Sequence, residues 1–375
     1  MQKAQIAIIG AGLSGLFAAY MLQKRGVMDY VILEARDAPG GRIVSAPLLC
    51  ETPDTSCEQS NITDRFDLGP SWFWPGYQRQ LDQLVEELGL RRFEQYETGE
   101  MLVERSADSA VMRMRGYVNS PPSMRLVGGM GALTDSLYAH LDPKRVLTGQ
   151  VVRYVCRKAQ SVEVQSTDSK GQVSTWSVEK VFLAMPPRLV HASIEFSPAL
   201  PSKLSQSWKA TATWMAPHAK YFAIFDKPFW REQGLSGEGR SSVGPLVEIH
   251  DATTAHGSAA LFGFVGIPAT LRRALPESDL RALCRAQLVR MFGSQARRPK
   301  AELLKDWAAQ PFTAIEADLK GANHHAAAPA ATADSGPWRD CLIGIASEWS
   351  PEFPGYVAGA IDAVSRGMRL FSTSA

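Results

Sequence analysis

Three glycines, Gly10, Gly12 and Gly15, with an acid 19 positions further on at Glu34, are the first residues whose spacing implies chemistry. In a G-x-G-x-x-G turn the first glycine permits a tight reversal and the second lets backbone approach a pyrophosphate. The third lets the following helix sit close on its strand. A helix beginning at that turn directs free N–H groups and partial positive charge at an anion, so Leu13 and Ser14 join the cradle. A carboxylate at Glu34 suits the hydroxyls of an adenosine ribose, which favours a dinucleotide with a free 2′-OH, FAD or NAD over NADP. The second constellation is one residue, Lys220, followed by Tyr221, Phe222, Ile224 and Phe225. A lysine buried on so apolar a strand needs a partner or loses its charge; a solvated edge lysine is the alternative.

The elements that must position these groups are legible nearby. Gln5 to Ile9 reads as a buried parallel strand, and Leu16, Ala18, Ala19, Met21 and Leu22 follow at helical spacing up to Gly26. Tyr30 to Leu33 is a second apolar strand, closing on Glu34. Further on, Gln80 to Leu90 patterns as an amphipathic helix, and residues 91–118 alternate as strands. Val151–Val155, Val162–Val164 and Val178–Ala184 read as a meander. Glu277 to Phe292 predicts a helix with Leu280, Leu283, Cys284, Leu288 and Met291 on its buried face.

Composition bounds the remaining possibilities. At 375 residues and 45% hydrophobic content the chain can bury two sizeable cores. A net charge of +2 with dispersed Lys and Arg gives no support for a nucleic-acid partner. No apolar run approaches the roughly 20 residues of a membrane span, and the chain enters its first strand without room for a cleavable leader. A soluble, cytoplasmic protein is the expectation. Five cysteines without C-x-x-C spacing suit a reducing compartment, although Cys50 and Cys57 flank one polar loop and could pair. The histidines, including the pair His324-His325 in a stretch read as a mobile loop, lack metal-ligand spacing, and no metal is expected.

Beyond Glu34 the chain reads Ala35-Arg36-(x)3-Gly40-Gly41-Arg42, and E-A-R-(x)3-G-G-R resembles the flavin-dependent amine oxidase superfamily, which includes monoamine, polyamine and L-amino-acid oxidases. The resemblance recurs in chain order. Asp67-Leu68-Gly69-Pro70-Ser71-Trp72 resembles a segment passing under the flavin ring, with Pro70 replacing a glycine. Leu126 to Leu133 resembles a re-entry into the FAD domain. Val151 falls where relatives bond the adenine, and Ala184-Met185-Pro186-Pro187 resembles the return to the sheet. Lys220, eight residues before Pro228-Phe229-Trp230-Arg231, falls at the lysine that holds a water against flavin N5. Ser347 and Glu348, then Tyr356 and Val357, resemble the segment along the ribityl path and the helix facing the flavin pyrimidine.

The resemblance implies an α/β fold with a Rossmann-like FAD-binding domain (1–78, 124–207 and 336–375) and a mixed-sheet substrate domain (79–123 and 208–335), a two-domain architecture shared with p-hydroxybenzoate hydroxylase. It also implies that Lys220, Tyr356 and Trp72 serve the reaction and that Trp74, Trp214 and Phe222 wall the substrate cavity, although Trp72 to Trp74 also reads as a core segment. The partners implied are a small amine and O2. No cysteine lies between 285 and 340, so non-covalent FAD is expected. The second aromatic of an amine cage falls at Ala317, leaving Tyr356 alone. Three readings stay open: an O2-using amine oxidase, a dehydrogenase or desaturase of an apolar substrate, and a flavin-binding protein without turnover.

Overall fold

The computed structural model describes residues 1–47, 64–319 and 327–372. Its first layer is a parallel sheet of five strands in the order Val146–Leu147, Tyr30–Leu33, Ile6–Ile9, Lys180–Leu183 and Leu342–Gly344. Side chains alternate across a strand, and this sheet uses both faces. Ile6, Ile8, Ile32, Phe182 and Ile343 bury themselves against the helices Leu13–Lys24, Gly131–Ala139 and Val357–Ser372. Ala7, Ile9, Val31, Leu33 and Val181 face a second five-stranded sheet carrying Val152, Val155, Val164 and Trp176. Full burial of each such aliphatic side chain stabilises the fold by about 1.5–3 kcal/mol.

The third sheet has seven strands, in the order Ala301–Asp306, Ala219–Phe225, Ala259–Val265, Leu246–Asp251, Leu235–Ser241, Glu100–Glu104 and Met112–Arg115. Tyr221, Ala223 and Phe225 point to one face, where helix Glu277–Phe292 covers them with Leu280, Cys284, Leu288 and Met291. Lys220, Phe222 and Ile224 point to the other, towards the segment Phe66–Gly69. The period of two in this strand therefore decides which residues can reach a site between the sheets.

Several expectations are corrected. The apolar run Val178–Ala184 divides at Glu179: Val173–Val178 ends the meander, while Lys180–Leu183 pairs in parallel with Ile6–Ile9 in the first sheet. Leu283 is about half exposed, because the buried stripe of its helix passes through Leu280, Cys284, Gln287 and Met291 instead. Strand Leu235–Ser241, with its two glycines, carried no strand signal and forms only because neighbours pair on both sides. Helix Arg79–Glu87, expected in the substrate domain, sends Leu81, Leu84 and Val85 into the same core as Ile6 and Ile8, so it packs with the parallel sheet. Cys50, Cys57 and His324-His325 lie outside the described residues.

Candidate active site

A single cavity of about 1350 Å³ runs between the parallel and seven-stranded sheets, larger than a pocket for one small ligand. One end is the glycine turn. Gly10 has a φ of +104°, a conformation that suits glycine, and helix Leu13–Lys24 begins at Gly12 without a side-chain cap. Leu13 and Ser14 therefore present their end of the helix to the cavity. Gly15 does not reach it; a side chain there would overlap the Gly10 carbonyl oxygen, so it sets how closely helix and strand approach. Gly40 bridges to Gly12, and a Cβ on Gly41 would stand 2.9 Å from Gly12 Cα, so two backbones lie side by side along the wall.

Glu34 is buried, yet lines this end of the cavity. Its Oε2 accepts from the Ala11 N–H at 2.6 Å and its Oε1 from the Arg36 N–H at 2.9 Å, which fixes the carboxylate's orientation. Arg36 donates to Gly41 O at 2.6 Å and to Thr313 Oγ1 at 2.5 Å, and burial lowers its pKa. Arg42 pairs with Glu348 at 2.5 Å and donates to Ser347 Oγ at 3.2 Å. Ser347 lines the cavity whereas Glu348 stands behind it, paired with Arg42. Ala35, Val151, Ala184 and Val357 all line the wall, as do Gly69, Pro70 and Ser71. A capless helix end, paired glycine backbones, two arginines and an oriented carboxylate suit a diphosphate joined to a ribose, so the residues fit a dinucleotide such as FAD.

At the other end stands Lys220, 4% exposed. Its Nζ donates to Gly69 O at 2.6 Å, Ser71 Oγ at 3.0 Å and Asp67 O at 3.3 Å. The ammonium also sits 4.5 Å from the Phe262 ring centroid and 5.2 Å from that of Phe264. Burial pulls its pKa down to about 7; Asp67 opposes the shift and Arg125 adds to it. Lys220, Phe264 and Glu248 are register partners across three adjacent strands, so one row of the sheet forms this wall.

The aromatic residues divide. Trp214 and Tyr356, 142 positions apart in sequence, place their ring centroids 5.1 Å from each other at 46°, and both line the cavity. Trp72 lines it too, held by Gln95 Oε1 at 2.8 Å from its Nε1, and Trp74 is anchored by Ser123 Oγ at 3.0 Å. Phe222 does not line the cavity. It stacks on Phe262 at 5.2 Å and packs against Phe66, so the expectation for this residue is corrected: it is core between the sheets.

Sequence reasoning passed over Glu248 and His218. Glu248 lines the cavity while accepting from His250 Nε2 at 2.7 Å and Arg240 at 2.6 Å. His218 lines it as well, its pKa lowered by burial and by Arg272. Both stand in strand or turn residues of ordinary pattern, and nothing short of the assembled sheet marks them.

A dinucleotide cradle that opens directly onto a buried lysine and two facing aromatic rings defines a flavin-type oxidoreductase. The model for flavin containing amine oxidoreductases matches residues 100–364, and that for an NAD(P)-binding Rossmann-like domain matches residues 8–88. The chain belongs to the flavin-containing amine oxidoreductase family, a class of FAD-dependent amine oxidases acting on small amines. It is 22% identical over 411 residues to a probable flavin-containing monoamine oxidase A of Dictyostelium discoideum, covering 82% of this chain and 84% of that protein. Putrescine oxidase of Kocuria rosea is 28% identical over 216 residues, 54% of this chain and 44% of the relative's length. In fold, the chain is similar to cyclohexylamine oxidase from Brevibacterium oxydans IH-35A, with a TM-score of 0.79 at 18% identity and 99% coverage of both chains.

Proposed function

We propose that the protein oxidises a small, largely apolar amine at its α-carbon, giving an imine that water hydrolyses, with FAD bound non-covalently and O2 as final acceptor. The observation that carries this reading is the continuity of one cavity from the Glu34 carboxylate to the Lys220 row of the seven-stranded sheet. FAD held in that cavity would supply the two-electron acceptor for the α-hydrogen and its electron pair, with O2 as the oxidant that would regenerate it and become H2O2.

The chain's own residues do the rest. Gly12, Leu13 and Ser14 hold the diphosphate, Glu34 the ribose, and Val151 and Ala184 the adenosine half. Arg42, with Ser347 and Glu348 holding it, lies along the path between the two halves. Helix Val357–Ser372 begins at the cavity, and its N-terminal end favours negative charge where the electrons arrive. Ala317 is exposed and does not line the cavity, so the expected cage position does not fall there; Trp214 and Tyr356 form the aromatic wall instead, orienting the amine and stripping its water. Removal of water favours the neutral amine, the form that gives up its hydrogen. Among the described residues no cysteine lines the cavity, and Cys341 packs in the core, which supports a flavin held without a covalent bond. Buried free thiols at Cys156, Cys284 and Cys341 fit a cytoplasmic setting. Among the described residues no helix is long and apolar enough to cross a membrane.

A peroxide-coupled screen of the purified yellow protein across monoamines, diamines and amino acids tests the reading. Turnover with a small apolar amine is the expected result. Flavin that bleaches with an amine but yields no peroxide would assign a dehydrogenase, and flavin that no amine bleaches would remove the catalytic reading. Acid precipitation should leave all the flavin in the supernatant; a yellow pellet would show a covalent link.

A further inference from the structure

We propose that two buried ion pairs, Arg188–Asp318 and Arg272–Asp306, are positioning residues for the amine: they pin residues 211–218 at both ends and so hold Trp214 where it meets the substrate. The proposal rests on the reading of the cavity given above. The pinned stretch joins helix Ser202–Ala210 to strand Ala219–Phe225 and has no helix or strand of its own. Trp214, Met215, Pro217 and His218 all line the cavity. Met215 has a φ of +62°, in the left-handed region that residues with a Cβ seldom adopt. Such a conformation persists only where the surroundings over-determine it, and two sets of contacts do so here.

At the near end the buried Asp318 accepts from the Thr213 N–H at 3.1 Å through Oδ1. The same oxygen takes an Arg188 N–H at 2.8 Å. Arg188 also donates to Lys209 O at 3.0 Å and Ala210 O at 2.9 Å, where the preceding helix ends. At the far end the buried Arg272 donates to Pro217 O at 2.6 Å and to Ile267 O at 2.5 Å. Both oxygens of Asp306 hold it, at 2.7 and 2.9 Å. Asp306 also accepts from the Ala308 N–H at 3.0 Å, so the turn at Trp307 belongs to the same brace. Each arginine ties separate chain segments together by charge-assisted bonds, which a planar guanidinium fork can make and an ammonium cannot. Between the two anchors stands Trp214, its ring centroid 5.1 Å from that of Tyr356. The aromatic wall is thereby set before a ligand arrives, which spares the amine the cost of ordering it.

The test compares holoenzymes of wild type, Arg272→Lys, Arg272→Met/Asp306→Asn, Arg188→Met/Asp318→Ala, Trp214→Ala, Trp214→Ala/Arg272→Lys and Arg273→Met. Arg272→Lys keeps the charge opposite Asp306 but loses the fork, and the two pair-removing variants leave no buried charge unpaired, so each should fold. Arg273, the exposed neighbour paired with Glu316 at 3.1 Å, is the control. Two quantities are read. One is the Kd of tert-butylamine, which has no α-hydrogen to give up, from its effect on the flavin spectrum. The other is the KM for an oxidised amine, separated from the limiting rate of anaerobic flavin reduction. The lysine variant and both pair-removing variants should raise Kd and KM tenfold or more and leave the limiting rate within threefold. Adding Arg272→Lys to Trp214→Ala should weaken binding no more than twofold further, because the clamp acts through that ring. Arg273→Met should stay within twofold of wild type. A lysine or pair-removing variant that binds like wild type, losses that multiply on the Trp214→Ala background, or a wild-type spectrum that tert-butylamine leaves unmoved would overturn the proposal. If tert-butylamine binds but no amine reduces the wild-type flavin, the proposed function fails, while the Kd series still decides the role of the two pairs.

Discussion

The two ends of the cavity are built in opposite ways. At the glycine end, Gly10, Gly12, Glu34, Arg36 and Gly41 come from one run of fewer than 40 residues, and their geometry follows from strand, turn and helix lying next to each other in the chain. At the lysine end, Lys220 meets residues 149 to 153 positions away, and Trp214 meets Tyr356 across a gap nearly as long. Backbone constraint governs the first and side-chain electrostatics in a dry interior the second. The glycine end should therefore fail sterically when broken, whereas the lysine end should fail chemically with the fold intact.

The largest effect belongs to the first. Gly15→Ala places a methyl group against the Gly10 carbonyl, and it should destabilise the protein by about 3 kcal/mol and abolish FAD binding, read by thermal unfolding and by the flavin spectrum of the purified protein. A variant that unfolds and binds FAD like wild type would break the contrast. Lys220→Met should keep the fold and the flavin while slowing reduction or reoxidation about 100-fold. Unchanged rates in both half-reactions would take Lys220 out of the chemistry.

Glu34→Gln sharpens the picture of the cradle. One of the two N–H groups now satisfied by the carboxylate would meet an amide donor, so FAD should bind roughly tenfold more weakly, measured by titrating apoprotein with FAD. A smaller effect follows from burial of Lys220. Its pKa is about 7 in the folded protein against an ordinary 10.5, so between those values the unfolded chain holds the extra proton. Stability should therefore rise with pH through that window, by at most about 1.4 kcal/mol per unit, and the penalty should be complete below it. Urea unfolding of wild type and Lys220→Met at pH 7 and pH 9.5 isolates the slope, which only wild type should show. Smallest of all, Phe222→Leu should lower stability by about 1 kcal/mol and leave turnover within twofold, because that ring packs between the sheets rather than into the cavity.

How much was legible differs between the two ends for the same reason. Turn glycines, the following helix and the acid announce themselves by spacing, since neighbours in sequence are neighbours in space. Lys220 stood out as a charge on an apolar strand, and the resemblance pointed to its role, yet neither showed which atoms would hold it. Phe222 shares the face of Lys220 and was expected in the cavity. One strand step moves it behind Phe66 and Phe262, a distinction that only the packed neighbours make. Glu248 and His218 carried no signal, because a polar residue in a strand or turn is ordinary until the opposite wall of a cavity is known.

By itself, then, the order of residues determined a nucleotide-binding turn, an oriented acid, a strand with one buried cation and two aromatic residues of no evident relation. Tertiary structure alone decided that Lys220 would meet Asp67, Gly69 and Ser71, and that Trp214 would face Tyr356 across the cavity wall. The physical reason is range: backbone conformation is settled within a few residues, whereas desolvation and donor–acceptor pairing depend on whatever distant segments the folded core brings alongside.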